Sequence, residues 1–212
     1  MEAKKFIIPR SFSRNVFTLL LLSFVLFISN LETTMASTTT LKSNPSKTYK
    51  TFIKSRCNST TYPNDCYKSL SSYASTIKSN PISLCNTSLY VTLKAARICY
   101  ASVSSLSKRK GLSRTEKAIV KDCVEELDDS VDELTKSLNA MKNLTGTDEE
   151  KQFQMSNIKT WVSATITDED TCIDEFVGKK VNSYVKKQIT KCIKSLTKMT
   201  SNSLALINSI NN

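Results

Sequence analysis

The stretch that decides the fold runs from Glu116 to Glu175. It opens Glu116-Lys-Ala-Ile-Val-Lys-Asp-Cys123-Val-Glu-Glu-Leu-Asp-Asp-Ser-Val131-Asp-Glu-Leu134 and closes Asp168-Glu-Asp-Thr-Cys172-Ile-Asp-Glu175. In the opening part Val120, Val124, Leu127, Val131 and Leu134 recur at helical period, and Leu138 and Met141 continue the stripe. At about 100° per residue, Glu125, Asp129 and Asp132 fall opposite it and face solvent. Asp122, Glu125, Glu126, Asp128, Asp129, Asp132 and Glu133 crowd around Cys123. Asp168, Glu169, Asp170, Asp174 and Glu175 crowd around Cys172. A chain with net charge +11 has thus gathered twelve carboxylates around two cysteines. If those cysteines pair, the result is an acidic patch stapled at its centre.

Working outward, Ser113-Arg-Thr-Glu116 matches a capping box and starts this helix, and Gly146 breaks it. Asp148, Glu149 and Glu150 suit the N-terminus of a third helix through Phe153, Ile158, Trp161, Val162 and Thr165 to about Phe176. Trp161 reads as partly core. A fourth helix carries Val185, Ile189, Cys192, Leu196, Met199, Ser203, Leu206 and Ile210, with Lys186, Lys187, Lys191, Lys194 and Lys198 on its other face. Upstream, Asn80-Pro81 starts a first helix. Ile82, Leu89, Ala96 and Val103 take one heptad position in it, and Cys85, Thr92, Cys99 and Leu106 the other. Four amphipathic helices of about 25 to 30 residues with short turns predict an all-α, antiparallel up-down-up-down four-helix bundle over residues 81–212. Antiparallel packing brings the start of the second helix to the end of the third, so a Cys123–Cys172 bridge is geometrically reasonable.

Ahead of the bundle, Lys47 to Arg56 reads as a short helix. Cys57-Asn-Ser-Thr-Thr-Tyr-Pro63-Asn-Asp-Cys66 reads as a turn closed by its own disulfide, with Pro63 starting another short helix. Residues 47–80 are therefore expected to form a helical hairpin extension. Residues 37–46, rich in Thr and Ser, read as a flexible leader. Residues 1–36 read as a signal peptide, with a basic start at Lys4, Lys5, Arg10 and Arg14, an apolar run from Val16 to Ile28, and small residues at Thr34-Met35-Ala36. An uncleaved signal anchor is the alternative. Cleavage would remove four basic and two acidic residues, leaving +9 and no segment able to span a bilayer.

Secretion makes cysteine pairs read as disulfides. The count of seven leaves at least one thiol free or shared with another molecule. Cys85, Cys99 and Cys192 fall on predicted seams, and the favoured reading is three buried thiols. A bridge from the first to the fourth helix is the alternative. Cys85 and Cys99 cannot pair with each other, being ~21 Å apart along one straight helix. Asn58, Asn86 and Asn143 head glycosylation sequons. The chain has no histidine and only three scattered glycines. That removes Ser-His and Cys-His catalysis, the usual zinc ligand sets and a phosphate-cradling loop. No catalytic residue, metal site or cofactor is predicted. Scattered lysines on a secreted chain argue against nucleic acid.

These residues resemble the plant pectin methylesterase and invertase inhibitors over roughly Thr51 to Ile210. The resemblance rests on Cys57…Tyr62-Pro63…Cys66, on Asp122-Cys123, on Trp161-Val-Ser-Ala164 with Thr167-Asp-Glu-Asp-Thr-Cys172-Ile-Asp174-Glu-Phe176, and on Ser201-Asn202 through Leu206-Ile. It implies the pairs Cys57–Cys66 and Cys123–Cys172, a four-helix bundle with a helical hairpin extension, and secretion to the apoplast and cell wall. It also implies a non-enzymatic protein that covers the substrate cleft of a sugar-processing enzyme in a 1:1 complex. The connection Asn143 to Ser156 lacks the Pro-Lys-Phe often carried by the invertase branch, which leans the resemblance toward pectin methylesterase. Glu125, Asp129 and Asp132 are the expected partner-binding residues, with Thr171 and Asp174 beside the same disulfide. The competing account of the three carboxylates is an ordinary solvated helix face. Cell-wall or vacuolar invertase is the alternative target. A non-inhibitory wall protein that holds pectin weakly on its lysine face is the other alternative.

Overall fold

The computed structural model describes residues 45–210. The signal-peptide reading of residues 1–36, and the leader as far as residue 44, lie outside the described residues. Every regular element described is helical. α1 (Pro45–Cys57), α2 (Pro63–Leu70), a 3₁₀ turn (Ser71–Tyr73) and α3 (Ala74–Ile77) precede four long helices. These are α4 (Pro81–Ser107), α5 (Arg114–Lys142), α6 (Asp148–Asp174) and α7 (Ser183–Asn208).

The helix starts follow local chemistry. Asn80 Oδ1 accepts from the Ser83 N–H at 2.9 Å, with Pro81 in the first turn of α4. Ser113 and Glu116 form the expected capping box on α5. Thr147 and Glu150 form a second one on α6, beyond the favourable acids that the sequence shows there. Gly146 makes that box attainable. Its φ is +105°, and a side chain there would collide with the Glu150 carboxylate.

Each long helix packs on its sequence neighbour, and α7 closes the ring against α4. That is the up-down-up-down bundle. Its core includes Leu89, Ala96 and Val103 of α4, Val120, Leu127 and Leu134 of α5, Ile158 and Val162 of α6, and Ile189, Ile193 and Leu196 of α7, each at most 1% exposed. Val124 and Val131 sit at the edge of the core, and Phe153 stands in solvent at 69% exposed. Small polar side chains also enter the core. Ser203 of α7 hydrogen-bonds to both Ser88 and Thr92 of α4, so the hydroxyls satisfy one another.

Three disulfides staple the fold. Cys57–Cys66 closes the loop between α1 and α2, and Cys123–Cys172 joins α5 to α6 with Cα atoms 4.7 Å apart. The third, Cys99–Cys192, joins α4 to α7 and corrects the favoured reading of three buried thiols. Antiparallel packing lays these two seam positions side by side, with Cα atoms 5.6 Å apart. Only Cys85 stays free; it is buried, and desolvation pushes its thiol up to about 12. The α1–α2 loop is tied down further by Asn202. Its Oδ1 accepts from the Tyr62 N–H at 2.8 Å and its Nδ2 donates to the Tyr62 carbonyl at 3.0 Å.

A candidate acidic binding face

The face is built on α5 and α6 around the buried Cys123–Cys172 bridge. On α5, Glu125, Asp129 and Asp132 are exposed, as their helical phase requires. Glu125 pairs with Lys121 at 2.8 Å, both well exposed, a contact worth little to folding. On α6, Thr171 and Asp174 are exposed, and the Thr171 hydroxyl donates to the Thr167 carbonyl at 2.9 Å. Glu175 pairs with Lys179 just beyond the helix. Trp161 is half-buried, as its partly core reading expects.

The sequence reading did not single out the residues that line the seam between the two helices. Glu126, Glu133 and Asp168 are half-buried there. A buried oxygen of Glu133 has no hydrogen-bond partner among the described residues, and the Ser130 hydroxyl faces Asp168 and slightly favours its charged form. Desolvation, then the nearby Glu133, Glu126 and Asp129, push the Asp168 carboxyl up to about 6. Desolvation also raises Glu126 and Glu133; for Glu126 the charges of Asp129, Asp122, Glu125 and Glu175 add to it. The signal was in the spacing. Glu126 lies three residues after Cys123 and Asp168 four before Cys172, one turn from the bridge on each antiparallel helix, so the two must approach each other.

Two acids of the central stretch leave the face altogether. Glu169 is fully buried, accepts from the Thr200 hydroxyl of α7 at 2.7 Å, and is pushed up to about 8 by burial. Glu116 is a latch. It accepts from its own cap at Ser113 N (2.8 Å) and from Asn182 N (2.6 Å), ahead of α7. Those two N–H groups hold its carboxyl below the ordinary range.

Of the sequon asparagines, Asn58 and Asn143 are exposed at helix ends, whereas Asn86 is half-buried inside α4. No group of three or more acidic or cysteine side chains among the described residues has metal-site geometry. No described helix is long and apolar enough to cross a membrane.

The structure is thus a disulfide-stapled helical bundle with a mainly acidic α5–α6 face, on which Lys121 and Lys179 each pair with one carboxylate. The chain belongs to the plant invertase/pectin methylesterase inhibitor family, whose model matches residues 51–206. It is 42% identical to "Pectinesterase inhibitor 4" of Arabidopsis thaliana over 90% of this chain and 96% of that one. It is also 42% identical to the "21 kDa protein" of Daucus carota, over 74% and 82% respectively. The fold matches a crystal structure of a mutant pectin methylesterase inhibitor from Arabidopsis with TM-score 0.57 and 20% identity, covering 74% of this chain and 95% of that one.

Proposed function

We propose that this chain is a secreted, non-enzymatic inhibitor of pectin methylesterase. It docks the α5–α6 face against the enzyme, 1:1, and covers the cleft through which the polymer enters. Glu125, Asp129 and Asp132 make the first contacts, with Thr171 and Asp174 at the edge. The observation that carries the reading is this face itself: exposed carboxylates on a chain of net charge +11, set on two helices locked by the Cys123–Cys172 bridge. A cleft that receives an anionic polymer is expected to present basic and polar groups, and one-signed carboxylates complement them. The locked helices hold those carboxylates in place before binding, which limits the ordering cost.

Relatives named as pectinesterase inhibitors support the esterase as target. The family description also names invertase, which is the competing target. The apoplast and cell wall are the place where such an enzyme and this chain would meet, and exposed Asn58 and Asn143 are the sequons placed to carry glycans there. The test is to titrate the pure protein into a pectin methylesterase and an acid invertase side by side. Loss of esterase rate to a 1:1 endpoint, with invertase untouched, is the expected outcome. Loss of invertase rate alone would move the target, and loss of neither would leave a non-inhibitory wall protein.

A further inference from the structure

A second surface shares α5 with the acidic face but opens between α4 and α5, and its chemistry is opposite. A groove of about 560 Å³ runs between α4 and α5. One wall carries Tyr90, Lys94, Arg97 and Ile98 of α4, and the other carries Asn139 and Lys142 of α5. No carboxylate lines it. Tyr90 and Ile98 are 47% and 60% exposed, large apolar surfaces left open to water. The Tyr90 ring is not loose, because Tyr73 meets it edge-on at 6.3 Å between centroids. Lys94, Arg97 and Lys142 are exposed, and none makes an ion pair among the described residues. At 1.5 Å per residue, Tyr90 to Arg97 spans about 10 Å along one wall, and Thr135 to Lys142 spans the same length antiparallel to it.

We propose that this groove binds a chain of uronic-acid sugars in its unesterified form. A sugar has a flat C–H face that stacks on a fixed aromatic ring, hydroxyls that an amide such as Asn139 can bond, and, in a uronate, one carboxylate per unit. Arg97 offers that carboxylate a two-pronged donor, and Lys94 and Lys142 add charge on either wall. An acidic peptide would use the cations but has no need of an open ring face, and a neutral sugar would use the ring but not the cations.

The lysine groove between α2 and α7 is the natural rival, since Lys68, Lys191, Lys194 and Lys198 line it. There, however, Asp65 also lines the wall and pairs with Lys198 at 3.2 Å. The same Lys198 lies 5.4 Å from the centre of the Tyr62 ring and covers that aromatic face. That surface offers diffuse charge, whereas the α4–α5 groove offers charge with an open platform. The inference does not depend on the inhibitor reading. If both hold, the protein carries one face for the enzyme and another for the carboxylate-rich polymer that de-esterification leaves behind.

The test is calorimetric titration of the whole protein with a hexameric oligogalacturonate, its fully methyl-esterified form and a polyglutamate of equal charge. Saturable 1:1 binding of the unesterified sugar is expected, with each of the other two ligands at least about tenfold weaker. Tyr90→Ala and the pair Arg97→Glu/Lys142→Glu should each weaken the sugar by at least about tenfold, and Lys191→Glu/Lys194→Glu by less than about threefold. Arg97→Glu/Lys142→Glu changes exposed charges, so its melting curve should be unchanged, and Tyr90→Phe, which keeps the ring against Tyr73, should retain sugar binding where Tyr90→Ala loses it. Equal weakening by the two charge-reversed pairs, or polyglutamate binding as well as the sugar, would overturn the proposal by reducing it to net charge. Absence of any saturable binding by the wild type would overturn it outright.

Discussion

On α7, Lys186, Lys187, Lys191 and Lys194 all stand in solvent; on α5 and α6 the carboxylates divide between solvent and interior. Glu125, Asp129 and Asp132 are exposed, Glu126, Glu133 and Asp168 sit half-buried at the helix seam, and Glu169 is fully buried against Thr200. Lysines on a long stem can carry their charge outward, so this face stays solvated except at Lys198, which pairs with Asp65 at its edge. Short carboxylates cannot do so, and those that fall on a seam are driven toward the neutral form. A run of charge in a sequence therefore says less about a surface when it is acidic than when it is lysine. The acidic side is coupled to the core and to pH, whereas the four exposed lysines Lys186, Lys187, Lys191 and Lys194 are not set into the core.

The largest effect that would break this contrast lies in the core beneath the acidic face. Leu127 and Leu134 are fully buried on the same helix that carries Glu125 and Asp132. Leu127→Ala and Leu134→Ala should each cost about 2–5 kcal/mol in denaturant melts. Lys191→Ala should stay within about 0.5 kcal/mol of wild type. A larger cost for Lys191→Ala than for either leucine would reverse the two sides.

Next in size is the pH dependence of stability. Burial pushes the Glu169 carboxyl up to about 8 from an ordinary value of 4.5. Between those values the folded chain keeps a proton that the unfolded chain has released. The stability contributed by Glu169 is therefore fully present below about pH 4.5 and is lost as pH rises through that window. Asp168, pushed up to about 6, adds a smaller share in the same direction. Melting temperature should drop between the acidic and alkaline ends of that range. Glu169→Gln, which keeps an acceptor for Thr200, should flatten most of the drop, whereas Lys191→Gln should not alter it. An equally steep slope in the Glu169→Gln protein would place the titrating group elsewhere.

The bridges give a count rather than an energy. Thiol labelling of the unfolded, unreduced chain should find one free cysteine, and peptide mapping should place it at Cys85. Three labelled thiols would remove the α4–α7 staple and restore the reading from sequence alone.

Much of the architecture was legible because it rests on period and punctuation. The stripes of Leu127 on α5 and Leu196 on α7, Pro81 at a helix start, and the Ser113–Glu116 box each have a local cause, and each stands where the sequence places it. The Cys99–Cys192 bridge was not legible in the same way. Its partners are 93 residues apart, and either a thiol or a disulfide suits a helix seam. Nor was the fate of Glu169, since a carboxylate flanked by Asp168 and Asp170 looks like one more member of a patch. Only the position of α7 and its Thr200 hydroxyl shows that it points inward. Of the candidate face, Glu125, Asp129 and Asp132 could be placed from helical phase. The seam acids needed the bridge as a ruler.

The smallest effect expected on folding belongs to the face itself. Glu125→Lys/Asp129→Lys alters exposed groups, so its melting temperature should lie close to that of wild type. Function should respond far more strongly, because like charges brought together at an interface weaken docking and slow encounter. Added salt should narrow the difference between this variant and wild type by screening it.

The most direct test is the rate of pectin demethylation against inhibitor concentration for three proteins: wild type, Glu125→Lys/Asp129→Lys, and Lys191→Glu/Lys194→Glu. Wild type and the lysine variant should inhibit alike, and the acidic-face variant should need a much higher concentration for the same loss of rate. Equal inhibition by wild type and the acidic-face variant would contradict the account, because the enzyme would then be held by some other surface of the bundle.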